Sequence, residues 1–410
     1  MDILILYEHA ERELYNAYLI KFELEKRGYE VEILNCMEPV IPYFKKPLLV
    51  LTPWMYTYRS FDCIKSKFIR KVDKILNLQY EQILSEVWLE AGHHLPSGYG
   101  KNVCHICFSD LIKNRLEEVG VDESHLFITG DIRCDFTKDR FKSFHMDKKE
   151  LAEEFNLSKD KEWILFISSF AFTNPVDEIK NNIQKYVGIE NANYIEYINN
   201  ISQKEIIKWI KKFIERHPDK EFIYRPHPSE YEYCSINNEL IDLIENYDNF
   251  HFIFKYSVQD WILNSDFINT WFSTSLTEIF QLKKSCNILR PVNMDPRFDV
   301  PFYINAKFVD NYEEFEKLNL KSNNEFPISK EELNKYYEFD EEYSYIKICN
   351  AVEYIIKEDK FKQNFYKNPV LYESLKCLFE TIFSKNILKS YKNKIDTKKL
   401  NKLKKIVNNE

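Results

Sequence analysis

Residues 3–34 constrain this chain more than any other segment. The apolar run Ile3-Leu4-Ile5-Leu6-Tyr7 leads into residues 10–27, where Leu14, Ala17, Tyr18 and Leu24 share one helical face. Gly28 stands where a helix C′ residue belongs, and a second strand is expected at 31–34. Strand, amphipathic helix and strand in that order make a βαβ unit, which commits the chain to a parallel sheet with a right-handed crossover. Further strands are expected at 48–51, 72–76, 103–108 and 126–129, with a helix over 110–119 ending at Gly120.

Residues 136–162 are rich in charge, and after them the rhythm resumes. Strands are expected at 163–167, 222–224, 250–254, 267–270 and 287–289, and helices at 203–216, 258–264 and 275–284. This divides the chain into an N-terminal Rossmann-like lobe (1–140), a linker (141–162), a second Rossmann-like lobe (163–340) and a helical region (341–410). The fold class is α/β, with two lobes facing across a cleft. In such sheets ligands bind beyond the carboxyl ends of the strands.

Composition narrows the function. With 44% hydrophobic and 16% aromatic residues the chain has ample core material. It has only seven glycines and no G-x-G-x-x-G or Walker-type run, so phosphate must be held without a glycine loop. A net charge of −8 argues against nucleic acid as a partner. Residues 385–410 nevertheless carry nine lysines and two acids. Ile387, Leu388, Tyr391, Ile395, Leu400, Leu403 and Ile406 lie among those lysines, which suits either an anionic membrane surface or a helix packed on the body of the protein. Nine cysteines without a signal-peptide pattern read as reduced thiols in a cytoplasmic protein.

Two segments at expected strand ends carry chemistry. In Tyr224-Arg225-Pro226-His227-Pro228-Ser229-Glu230 the prolines hold an arginine and a histidine rigidly. Arg225 offers a bidentate fork, and His227 a hydrogen bond, to a phosphate. The same pattern also describes a stiff turn with a solvated histidine. In Phe272-Ser273-Thr274-Ser275-Leu276-Thr277-Glu278 a run of hydroxyls opens a helix and can bind an anion. Ser275 and Glu278 alternatively form a capping box that needs no ligand.

These motifs resemble the bacterial surface carbohydrate biosynthesis group, which is similar to capsule Kdo transferases of the GT-B class. The resemblance is carried also by residues 3–33, Asn77-Leu78-Gln79-Tyr80-Glu81-Gln82, Thr129-Gly130-Asp131-Ile132-Arg133-Cys134-Asp135 and Ser257-Val258-Gln259-Asp260-Trp261-Ile262. The family pattern has Asn-Pro where this chain has Asp131-Ile132. The resemblance implies a CMP-activated donor, with Kdo or a nonulosonic acid favoured, and a glycan acceptor in capsule or lipopolysaccharide synthesis. It implies that Arg225, His227, Pro228, Ser273, Thr274 and Ser275 meet the donor phosphate and that Glu278 reaches a ribose hydroxyl.

The acceptor lobe must supply a base or nucleophile, and Glu8, Glu81, Asp131 and Asp135 are the carboxylates at expected strand ends, with His9 beside them. No cofactor or metal is called for. Cys104 and Cys107 of the Cys104-His105-Ile106-Cys107 run would point to opposite faces of a strand. Two alternatives stay open, a CDP-glycerol or CDP-ribitol phosphotransferase and a catalytically inactive GT-B scaffold.

Overall fold

A computed structural model describes residues 1–36, 46–56, 72–233, 237–321, 325–363 and 396–408. They fall into two compact units. The first comprises Met1–Gln82, His94–Phe144 and Asn334–Glu410, and the second Ile83–His93 and His145–Leu333.

The first unit is built on six parallel strands: β1 (Ile3–Tyr7), β2 (Val31–Asn35), β3 (Leu49–Thr52), β4 (Ile75–Asn77), β5 (Cys104–Cys107) and β6 (Leu126–Ile128). Their order is β2-β1-β3-β4-β5-β6, so the direction of winding reverses between β1 and β3. Ile3, Leu4 and Ile5 are fully buried, as expected of a parallel sheet covered on both faces. The expected helix runs from Ala10 to Lys26, and Gly28 follows it with φ +94°. The strand expected at 72–76 instead begins at Ile75, because Lys74 is taken up by a different task.

The second unit carries β7 (Glu162–Ile167), β8 (Lys220–Arg225), β9 (Phe250–Phe252), β10 (Phe267–Thr270), β11 (Asn287–Leu289) and β12 (Phe308–Val309). The order is β12-β11-β10-β7-β8-β9, all parallel. Read from β9, this is the dinucleotide-fold order 3-2-1-4-5-6, with its switch point between β7 and β10. The helix expected at 203–216 is twice as long, Ile189–Arg216. Asn199, Ser202 and Gln203 hid its first half, since they are polar yet lie on its buried face.

The region 341–410 is not separate, since its described residues complete the first unit. The helix Ser344–Lys357 buries Tyr345, Ile348, Cys349, Val352 and Ile355 in the same core as β1 and β3. Buried charges hold both of its ends. Asp135 accepts from the backbone N–H groups of Ser344 at 2.9 Å and Tyr345 at 2.8 Å. Lys74 donates through Nζ to the carbonyls of Ile355 and Ile356, both at 2.6 Å. A carboxylate at a helix N-terminus and an ammonium at its C-terminus both complement the dipole. Gly130, at φ +74°, lets the chain pass close to Ser344, whose Oγ would lie 3.0 Å from an added Cβ.

The helix Thr397–Asn408 places Leu403 and Val407 in that core with Leu400 and Ile406 against it, and seats Lys399 over the Phe144 ring at 5.2 Å. The apolar face assigned to a membrane in one reading of the tail is thus taken up by protein. Ile387, Leu388, Tyr391 and Ile395 lie outside the described residues. Among the described residues no helix is long and apolar enough to cross a membrane.

Removing the Asp135 carboxylate leaves two buried helix N–H groups without their acceptor. Asp135→Ala is expected to cost about 2–4 kcal/mol, and Asp135→Asn, which retains one acceptor, less. Urea unfolding of both variants checks the order.

Candidate active site

The second unit supplies the first group of residues. Where β8 ends, His227 precedes the helix Pro228–Tyr233, with Pro228 as the first helical residue, a position where its missing N–H costs nothing. Glu230, three residues on from His227, accepts from the His227 backbone N–H at 3.2 Å, which is one half of a capping box. His227 caps the same turn with its side chain, because its Nδ1 accepts from the Ser229 N–H, one residue short of a full box, at 3.2 Å. With Nδ1 so engaged, the proton of the neutral ring belongs on Nε2.

Glu230 is almost fully buried and binds more than the cap. It accepts from Ser168 Oγ at 2.6 Å, Tyr224 OH at 2.6 Å and Gln203 Nε2 at 3.1 Å. Burial pushes its carboxyl above the ordinary carboxylate range. One side chain therefore joins the loop after β7, strand β8, the His227 turn and the helix Ile189–Arg216. The sequence held a signal for this role, since glutamate at the third helical position after proline at the first is a capping pattern.

Arg225 does something other than expected. Its Nη1 donates to the carbonyl of Lys255 at 3.0 Å and its Nη2 to that of Tyr256. The guanidinium thus secures the loop after β9, where Tyr256 has φ +69°. The Ser257…Asp260 motif is likewise structural. It forms a full capping box, and Asp260 also accepts from the Met146 N–H at 2.9 Å.

At the end of β10 the hydroxyl run forms a tight turn. Ser273 Oγ accepts from the Ser275 N–H at 3.1 Å, and Tyr303 OH donates to the Ser273 carbonyl at 3.0 Å. Ser275 makes no side-chain cap, so the Ser275–Glu278 capping box does not form. Ser273, Thr274 and Ser275 are partly exposed, whereas Glu278 is buried on the first helical turn. Beneath the turn lies Arg290, which sequence reasoning missed. It is buried, stacks over Trp271 and Tyr303, donates to the Trp271 carbonyl and pairs with Asp299 at 2.6 Å.

The first unit gathers a second group at the carboxyl ends of β1, β3 and β4. Glu8 follows β1 directly, and its Oε2 accepts from Trp54 Nε1 at 2.9 Å, across the β1–β3 switch point. Its backbone N–H donates to Glu13 Oε2 at 2.7 Å. Glu81 pairs with Arg12 at 2.8 Å and lies 3.7 Å from His94 Nδ1, and the His94 ring stacks on Tyr56 at 4.6 Å. Gln79 and His94 hold φ values of +44° and +57°, a costly conformation for residues other than glycine. Gln82 ends the motif by acting as a sheet extension, donating to the Ile106 carbonyl and accepting from the Phe108 N–H, each at 2.9 Å.

The four expected carboxylates therefore separate. Glu8 and Glu81 share one locus and are partly exposed. Asp131 is closed off by Arg133, whose Nε and Nη2 grip it at 2.7–3.1 Å. Asp135 is the helix anchor described above. Asp131 caps the turn that follows it, whereas Asp135 caps a helix some 210 residues further along the chain. Glu13 joins the locus unannounced. Burial raises its carboxyl to about 7, because the first turn of its helix packs it beneath Glu8.

The Cys104–Cys107 run lies buried in β5. His105 Nδ1 takes a hydrogen bond from Asn77 Nδ2 at 3.1 Å and its Nε2 donates to the Gly100 carbonyl at 2.7 Å, and burial lowers the ring to about 4. Burial also pushes the Cys107 thiol up to about 12, so these groups belong to the core. The six described cysteines are all buried.

No protein-family model matches the chain, and no curated protein matches it. Solved structures do. The UDP-GlcNAc 2-epimerase of Methanocaldococcus jannaschii, in complex with UDP-GlcNAc and UDP, is 17% identical over 86% of this chain and 100% of that one, with a TM-score of 0.53. The UDP-GlcNAc 2-epimerase of Neisseria meningitidis, bound to UDP-GlcNAc, is 14% identical over 87% and 100%, at 0.54. The wall teichoic acid polymerase TagF, as the H444N variant with CDPG, is 12% identical over 87% and 89%, at 0.51. At these identities the likeness establishes the fold, the two-sheet α/β architecture of GT-B enzymes.

The elevated Glu13 carboxyl has a testable consequence. A carboxyl whose folded-state pKa rises from 4.5 to about 7 favours folding in its neutral form, and stability is lost as pH rises through that window. Glu13→Gln should match wild type near pH 4. It should become the more stable protein by about 3 kcal/mol near pH 8, as chemical denaturation at both pH values would record.

Proposed function

We propose that the protein is a nucleotide-sugar-dependent glycosyltransferase of bacterial surface polysaccharide synthesis, working without a metal. Its donor is a CMP-activated acidic sugar such as Kdo or a nonulosonic acid, and its acceptor a glycan. The observation that carries this reading is the His227 turn at the carboxyl end of β8. Its ring keeps Nδ1 internally satisfied and a proton on Nε2, the arrangement of a hydrogen-bond donor for a phosphate. The exposed hydroxyls of Ser273, Thr274 and Ser275 at the end of β10 supply further donors. The structural relatives that bind UDP-GlcNAc or carry CDPG fit a nucleotide-linked donor.

In this reading the anomeric carbon of the donor is attacked by an acceptor hydroxyl as its bond to the CMP phosphate breaks. Glu8, oriented by Trp54 and partly open to solvent, takes the hydroxyl proton. His227 Nε2–H stabilises charge on the departing phosphate. The alditol phosphotransferase reading is weaker, because attack at phosphorus calls for a cationic clamp and the Arg225 guanidinium is engaged by the Lys255 and Tyr256 carbonyls.

Thermal shifts with CMP, CDP and UDP test the donor. CMP at 100 times its Kd should stabilise wild type by about 2.7 kcal/mol and leave His227→Ala unmoved. An equal shift in that variant would remove His227 from the site, and preference for CDP or UDP would replace the donor. Glu8→Gln should bind CMP normally while CMP release from CMP-Kdo in the presence of acceptor glycan falls 10²–10⁴-fold, by roughly the usual contribution of a general base.

A further inference from the structure

The reading above leaves Glu230 without a role, although it is the most heavily hydrogen-bonded carboxylate near the donor turn. Four donors converge on it, two per oxygen. Oε1 takes Tyr224 OH at 2.6 Å and Gln203 Nε2 at 3.1 Å, and Oε2 takes Ser168 Oγ at 2.6 Å and the His227 N–H at 3.2 Å. Ser168 Oγ and Tyr224 OH also lie 2.9 Å apart, a contact that becomes a hydrogen bond only when one of the two turns its single proton away from the carboxylate. All are buried.

A buried carboxylate is an expensive way to hold a turn. A packed apolar residue would serve a purely structural purpose at less cost. What the carboxylate adds is direction. It fixes the His227 main chain from one side while the first helical turn offers the Ser229 N–H to His227 Nδ1 from the other. Once both bonds are made, the ring has one orientation and one tautomer. Ser168 brings the loop after β7 into the same network, at the switch point of this sheet.

We propose that Glu230 is the positioning residue of the donor site, holding His227 as the single Nε2–H tautomer aimed at the phosphate. The proposal rests on the assignment of His227 to that phosphate only for its effect on binding. Its effect on the ring stands independently of any ligand.

The test uses the full chain with 13C- and 15N-labelled histidine. In wild type without ligand, the His227 ring, assigned by its loss in His227→Ala, should show a single Nε2–H tautomer. In Glu230→Gln, which keeps the shape and one carbonyl acceptor, the signals should move toward a mixture with the Nδ1–H form, and CMP should bind about tenfold more weakly. Ser168→Ala removes one donor of four and keeps the carboxylate. Because Ser168 Oγ shares Oε2 with the His227 N–H, the variant should show a smaller shift toward the Nδ1–H form with a loss of affinity of about threefold or less, and it provides the milder probe if Glu230→Gln does not fold. A wild-type tautomer in Glu230→Gln would overturn the proposal, as would a tautomer mixture in wild type. If Glu230→Gln does not fold, loss of the single tautomer in Ser168→Ala supports the proposal only if that variant melts as wild type does. The wild-type tautomer kept there overturns it. A tautomer that shifts as expected, in a protein whose CMP affinity depends on neither Glu230 nor His227, upholds the positioning role and removes the donor assignment instead.

Discussion

The first unit depends on a helix that arrives more than two hundred residues after its sheet has begun. Ser344–Lys357 fills one face of that sheet, and opposite buried charges fix its two ends, Asp135 at the start and Lys74 at the finish. Each charge replaces lost hydration with hydrogen bonds to backbone groups that a helix otherwise leaves unmade. Because both anchors sit on segments adjoining the sheet, the two charges fix the axial position at which the apolar side chains of the helix interlock. The register of Tyr345, Ile348 and Val352 against the core then follows from where the two charges stand.

The two candidate loci solve the shortage of glycine differently. In the second unit the backbone at the end of β8 is ordinary, and side-chain caps give it direction, with His227 and Glu230 satisfying the helix start between them. In the first unit the geometry is forced. Gln79 and His94 take left-handed backbone conformations, and the Arg12–Glu81 pair and the Tyr56–His94 stack border them. Strain of that kind persists only where surrounding contacts over-determine it.

Much of the fold was legible because parallel strands buried on both faces write themselves as unbroken apolar runs, as in Ile3-Leu4-Ile5-Leu6 and Ile164-Leu165-Phe166-Ile167. What escaped were features whose residues meet only in three dimensions. Asp135 read as a strand-end carboxylate because its partners, Ser344 and Tyr345, lie some 210 positions away. Arg225 read as a phosphate ligand because nothing local reveals that the Lys255 and Tyr256 carbonyls come to its fork. Nothing in the residues around Glu13 reveals that packing beneath Glu8 buries it. Lys74 interrupted an apolar run and was absorbed into a strand that in fact starts one residue later. Short-range pairings were no easier to read: the Ser275–Glu278 box does not form, and the Ser257–Asp260 box that does form lay unread within a family motif.

The way the chain leaves the first unit and comes back to it has a bearing on synthesis at the ribosome. Everything the second sheet requires is made by Leu333, whereas the first sheet must wait for Ser344 and later residues to cover one of its faces. At roughly 5–20 residues per second, the 200 residues between Phe144 and Ser344 hold that face open for about 10–40 seconds. The half of the protein translated first is therefore the half that matures last. For that interval, the nascent chain displays the apolar surface of β3 and of the helix Ala10–Lys26 to whatever chaperone or neighbour meets it.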